Sequence, residues 1–286
     1  MPLVVLNSNN IINRNSGNNR FVYQFQGSGG VTFRNNEIAL CSLQMYYSWF
    51  NVNSSLYKNN VYEYIWIDGN TYSVNMPNGF YSVDDLNNFL ESVMIANNHY
   101  LIDTTTGNFV YYLQLETNAT YYAVQMNAYV VPNIMPAGFA YPAGATWVLP
   151  AIAQTPRVTI LNNGFVDLIG FSAGTYPPTS PYTTTYSKIS DFAPQLNPIS
   201  SIQITCSITN NMYSSQSKQI YAFGVPEVVF GGNILVQTPE FAFSKIISGQ
   251  YNQFEVEIID QNGRPINLQD PQICITLIIR DAEQNQ

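Results

Sequence analysis

Apolar and polar residues alternate at every second position in run after run from one end of this chain to the other, and that period fits a strand and not a helix. FVYQFQ (21–26) alternates aromatic with polar, and EIALCSLQMYYSWF (37–50) is a long run of β-branched and aromatic residues. VYEYIWI (61–67) and TYSVNM (71–76) flank Asp68-Gly69-Asn70, a hairpin signal of the type I′ kind, because Asp-Gly tolerates positive φ at both central positions. NFVYYLQLET (108–117), YYAVQMNAYVV (121–131), SSIQITCSITNN (200–211), QFEVEIIDQNG (253–263) and QICITLIIRD (272–281) read as further strands.

One segment breaks the period. Ser82 is a good N-cap, Asp84 and Asp85 suit the positive end of a helix dipole, and Leu86, Phe89, Leu90, Val93 and Met94 share one helical face. Asn97 and Asn98 are stop residues, and a shorter helical turn is expected over 164–171. Proline and glycine punctuate 131–156 and 174–182. Proline cannot donate in a central strand, so these are long loops. They are apolar and aromatic where disordered segments are polar and charged, which points to burial against something. The expected fold is all-β: an antiparallel double-sheet roll or sandwich with one inserted amphipathic helix and long Pro-rich loops. Residues 1–20 are expected to be a flexible N-terminal arm. Residues 21–286 are expected to form this roll or sandwich domain, with an insertion around 131–198 and a soft boundary near Pro156.

Charged residues make up only 10% of the 286, against about 25% in ordinary soluble domains. A polar but weakly charged surface has little charge to desolvate on contact, which suits a subunit buried on several sides. Net charge is −8 with ten basic residues scattered along the chain, so no basic stripe exists to hold phosphates and no specific nucleic-acid partner is expected. Cys41, Cys206 and Cys274 each sit in an apolar or alternating run, far apart in sequence. They read as three buried thiols in a reducing compartment such as cytosol. No apolar run approaches the ~20 residues of a membrane span, and no signal peptide is visible. Asn53 and Asn118 head glycosylation-type triplets that read as chance in a chain so rich in Asn, Ser and Thr.

Chemistry is sparse. The single histidine, His99, follows the helix and reads as a cap or surface residue, since a triad needs nucleophile, base and orienter together. Glu255 and Glu257 share one strand face and could serve as a glycosidase-type carboxylate pair; against Phe254, Val256 and Ile258 they read as a solvated face. Gly27 to Gly30 lacks the lysine and helix of a phosphate loop, and Gly231-Gly232-Asn233 is another turn. No catalytic residue, metal ligand or cofactor is therefore expected. Aromatics reach 14%, with 21 tyrosines, and many sit at alternate strand positions in the core. Those in the proline loops, Phe139, Tyr141, Trp147, Tyr176, Tyr182 and Tyr186, are the interface candidates, because aromatic rings give large contact area with a polar tip.

Four segments together carry a resemblance. NNEIALCSLQMYYSWFNV (35–52), GFYSVDDLNNFLESVM (79–94), PISSIQITCSITNN (198–211) and FEVEIIDQNGRPINLQDPQICITLIIRD (254–281) resemble, in this order, blocks of the penton proteins of virophages and Polinton-like viruses. The Tyr-Tyr-Ser-Trp-Phe-Asn stretch is the most specific; the central proline region is not diagnostic. The resemblance implies that the fold is a single jelly-roll β-sandwich and the protein a non-enzymatic minor capsid protein without cofactor, a homopentamer at the five-fold vertices of an icosahedral virion. Its implied partners are double jelly-roll trimers of the major capsid protein and other minor capsid proteins, with assembly in the host cytoplasm. A five-fold ring needs a heterologous interface, and the proline loops and the Asn-rich residues 7–20 are expected to supply contacts. An attachment module that binds glycans through exposed aromatics would share the fold and composition; sugar binding by an isolated subunit separates the two. A glycan-active enzyme using Glu255 and Glu257 is the third reading, and it predicts loss of activity when either is changed.

Overall fold

The computed structural model describes residues 1–282 except Ser28 and Ser215. The chain separates into two compact units: Met1–Trp49 with Ile199–Gln286, and Phe50–Pro198. The first stretch carries strands β1 (Leu3–Leu6), β2 (Arg20–Gln24), β3 (Val31–Phe33) and β4 (Asn36–Tyr46). The middle carries β5 (Val61–Ile65), β6 (Thr71–Asn75), helix α1 (Val83–Ala96), β7 (Leu101–Asp103), β8 (Phe109–Val110), β9 (Leu113–Asn118) and β10 (Ala123–Ala128). It continues with β11 (Phe139–Ala140), β12 (Arg157–Ile160), helix α2 (Phe165–Ile169), β13 (Gly174–Tyr176) and β14 (Tyr186–Ile189). The last stretch carries β15 (Ser201–Cys206), β16 (Gln219–Gly224), β17 (Asn233–Gln237), β18 (Ser244–Lys245), β19 (Gly249–Tyr251), β20 (Gln253–Asp260) and β21 (Cys274–Asp281).

The first unit is a jelly roll by its strand order. One sheet runs β1-β21-β4-β17 and the other β16-β15-β20-β2, all pairings antiparallel. Counting only these eight strands along the chain, the sheets read first-eighth-third-sixth and second-seventh-fourth-fifth, the double Greek key. β18 extends the pairing along β4, and β3 with β19 forms a separate two-stranded ladder. The alternation places Val4, Leu6, Ile38, Leu43, Met45 and Leu277 inward from one sheet, and Phe21, Ile204, Phe254, Val256 and Ile258 from the other. Each such side chain contributes about 1.5–3 kcal/mol by leaving water. A bulge between Thr276 and Leu277 shifts the β21–β4 register, so Cys41 faces no partner residue.

The second unit has its own core. Its sheets run β13-β12-β5-β6, β14-β10-β9 and β11-β7-β8. Tyr62, Tyr64, Trp66, Leu113, Met126, Val158 and Phe165 form the buried cluster. Helix α1 lays Val83, Leu86, Leu90 and Met94 into this cluster beside β9. Ser82 caps it in a reciprocal box: its hydroxyl accepts the Asp85 N–H (3.1 Å) and the Asp85 carboxylate accepts the Ser82 N–H (2.9 Å).

Three expectations change. The jelly roll is interrupted from 50 to 198 and not from 131, so β5 to β10 belong to the second unit. Alternation specifies a strand but not its partner, and the two units alternate alike. Residues 1–20 carry defined structure: β1 pairs with β21, and Asn7 and Asn10 cap a short 3-10 turn. The asparagines that read as disorder satisfy backbone groups, Asn18 donating to the Leu268 carbonyl (2.7 Å) and Asn19 to that of Ile258 (3.3 Å). The 66–70 turn is a three-residue loop, with Trp66 and Asn70 paired and Gly69 at φ +83°, in place of a two-residue type I′ turn.

Candidate functional site

The six interface candidates fall in the second unit and divide by burial. Trp147 is a core residue: its ring stands edge-on to Trp66 (5.2 Å) and its indole N–H donates to the Asn98 carbonyl. It therefore offers no free surface in this chain, because the second unit uses it to close its own core. Tyr141 stands edge-on to Trp147 (5.0 Å), remains exposed, and accepts the Leu149 N–H on its hydroxyl (3.0 Å). Phe139 is half-buried in β11, opposite Asp103. Tyr176 is half-buried, donates its hydroxyl to the Ser172 carbonyl (3.0 Å), and lies under the Lys188 ammonium at 4.5 Å. Tyr182 and Tyr186 pack edge-on at 5.5 Å, both half-buried.

The most exposed apolar groups of the first proline loop are aliphatic. Ile134 and Val148 are each 75% exposed, and Ile152 is also open. At the β9–β10 turn Tyr121 and Tyr122 stand in solvent, although the alternation had placed them within a strand. The first unit exposes Met212, Val229, Leu235 and Tyr213, the last 98% accessible. The aromatic count drew attention to rings; the open aliphatics carried no signal beyond lying in Pro-rich or turn sequence.

His99 is neither cap nor surface. It is 3% exposed, stacked on Trp66 (4.6 Å, 8° between planes) and edge-on to Tyr72, with Nδ1 2.8 Å from the Tyr64 hydroxyl. Burial pushes its pKa down to about 4, with the nearby Asp68 charge opposing. It is an aromatic member of the core and holds no nucleophile in reach.

The carboxylate pair is divided. Glu255 is bound by the Arg20 guanidinium at 2.8 Å, while Glu257, next on the same strand face, has no side-chain partner among the described residues. Three more basic side chains are held by acids: Lys188 by Asp191, Arg264 by Asp260 and Arg280 by Glu37. Of the thiols only Cys206 is buried, which pushes its pKa up to about 12; Cys41 and Cys274 are partly exposed, a correction to three buried cysteines. Among the described residues no group of three or more His, Cys, Asp or Glu could hold a metal, and no helix is long and apolar enough to cross a membrane.

The chain is thus a jelly-roll protein with a second β-rich unit inserted between its third and fourth sandwich strands. No protein-family profile and no curated protein matches it. Among solved structures it is similar to the mavirus penton protein, at 11% identity over 98% of both chains with a TM-score of 0.46. It is similar also to a chain of the Sputnik virophage determined by cryo-EM, at 11% identity over 98% of both chains with a TM-score of 0.41.

Proposed function

We propose that this chain is a non-enzymatic minor capsid protein that closes into a homopentamer at the five-fold vertices of an icosahedral virus or virophage particle. The observation that carries the reading is the strand order of the first unit, the double Greek key common among viral capsid domains. That topology also serves lectins and cupins, so fold alone does not select the role. The ordered sequence blocks, above all Tyr-Tyr-Ser-Trp-Phe-Asn, favour the capsid role among them. The weakly charged surface supports it too, since contacts on several sides then desolvate few ions.

In the shell the neighbours are double jelly-roll trimers of the major capsid protein and other minor capsid proteins. Assembly takes place in the host cytoplasm, with no specific nucleic-acid contact. The proline loops supply contact surface through Tyr141, Phe139, Tyr176, Tyr182 and Tyr186 together with Ile134, Val148 and Ile152. Light scattering or mass photometry of the purified protein tests the assembly. The expected particle is near five times 32.1 kDa. A stable dimer, trimer or hexamer refutes the five-fold ring, which requires one interface repeated five times.

A further inference from the structure

We propose that the polar cleft between residues 13–20 and 265–269 of the first unit, with Glu257 in its wall, binds a neutral sugar. The cleft is an open groove of about 600 Å³, room for one or two pyranose rings. Its near wall is preorganised. Asn18 and Asn19 are both buried and tie their amides to the carbonyls of Leu268 and Ile258, while the Asn13 amide donates to Asn19 at 2.6 Å. Asn15 (φ 63°), Gly17 (φ 119°) and Asn18 (φ 50°) hold left-handed backbone that this network stabilises.

The groups left over suit hydroxyls. The side chains of Asn15 and Asn267 and the carboxylate of Glu257 line the cleft and make no side-chain hydrogen bond among the described residues. The Arg20 guanidinium, which also lines the cleft, makes its hydrogen bond to Glu255 and is coupled to Glu257 only through its charge, so the Glu257 oxygens are free to accept. A lone carboxylate accepts from two vicinal hydroxyls at once, and each amide offers donor and acceptor. Pro265, exposed and part of the lining, adds an apolar surface for sugar C–H groups.

Other ligand classes fit worse. An anion meets the Glu257 carboxylate, and the one cation in the lining, Arg20, is already held by Glu255. A metal ion finds a single carboxylate in the lining, Glu257. A peptide finds little apolar wall, since Ile266 is itself buried. The assignment rests on the first unit alone and holds whether or not the capsid reading does.

The test uses the full-length protein on an array of glucose-, mannose-, galactose- and N-acetylhexosamine-terminated oligosaccharides, with sialylated and sulfated glycans alongside. Calorimetry on the best binder then compares Glu257→Gln and Asn267→Ala. Tyr122→Ala, in a separate groove of the second unit, is the control. Neutral glycans should bind, and each cleft variant should weaken binding about tenfold or more, the worth of a hydrogen bond to a charged group or of a buried amide contact. Tyr122→Ala should change nothing. Glu257→Gln is close to isosteric, so an unchanged melting temperature keeps its result readable. Retention of no neutral glycan, preference for anionic ones, or binding that survives both cleft variants overturns the proposal.

Discussion

His99→Phe should remove most of the acid sensitivity of the second unit. His99 is the only histidine, and the fold pushes its pKa from the ordinary 6.5 to about 4, by burial first and against the pull of Asp68. The folded state refuses a proton that the unfolded chain accepts below 6.5. Stability is therefore intact above that pH and is lost as pH falls from 6.5 towards 4. At ~1.4 kcal/mol per tenfold, the loss is at most about 2 kcal/mol at pH 5 and about 3 at pH 4. Phenylalanine keeps a flat ring on Trp66, and the Tyr64 hydroxyl retains the Asn97 amide as donor (3.1 Å). Urea unfolding followed by tryptophan fluorescence at pH 7 and pH 5 measures the effect, because Trp66 and Trp147 both report on this core. Carboxylates titrate in both proteins, so the difference between the two isolates the imidazole. The Cε1 proton of the sole histidine gives the titration directly by NMR. A midpoint at or above 6, or parallel losses in wild type and His99→Phe, would refute the reasoning.

Two further outcomes follow from the geometry. Ser82→Ala removes one half of the α1 capping box and should cost the second unit about 1 kcal/mol, read as a lowered urea midpoint with unchanged slope. Brief alkylation of the native protein should modify Cys41 and Cys274 and spare Cys206 until the chain is unfolded; mass spectrometry showing early modification of Cys206 would contradict its burial.

What the sequence disclosed and what it hid divide along the line between local and non-local physics. Helix α1 was legible to the residue because Ser82, Asp85 and the Leu86–Leu90–Met94 spacing act within a few positions of one another. Strands were legible because alternation is local, and an all-β roll or sandwich followed from them, while the jelly roll itself came only with the resemblance of the ordered blocks. The domain boundary at residue 50 was hidden, since β5 alternates as β4 does and nothing in VYEYI says that it pairs with β12 and not with the sandwich. His99 was misjudged because its burial depends on Tyr64, Trp66 and Tyr72 arriving from a hairpin about 30 residues upstream. The N-terminal asparagines were misjudged for the same reason: their partners, the carbonyls of Ile258 and Leu268, lie some 240 or more residues away. Glu257 was singled out as one of a pair, and only the Arg20–Glu255 ion pair separates it from its neighbour.

The interruption of the sandwich also sets an order of events in synthesis. Strand β4 is central to its sheet, yet its neighbours β17 and β21 are made only after the whole second unit, with Leu40 ending opposite Leu277. At ~5–20 residues per second, β1 to β4 wait roughly ten to fifty seconds for these partners. Meanwhile residues 50–198, contiguous and with their own core, can close first. During that interval the 11-residue β4 presents two open ladder edges, the condition under which strands pair with the wrong chain. The ribosome thus finishes the inserted module while the sandwich is still half-made, and the rate of translation sets how long the sandwich strands stay exposed to copies of the chain.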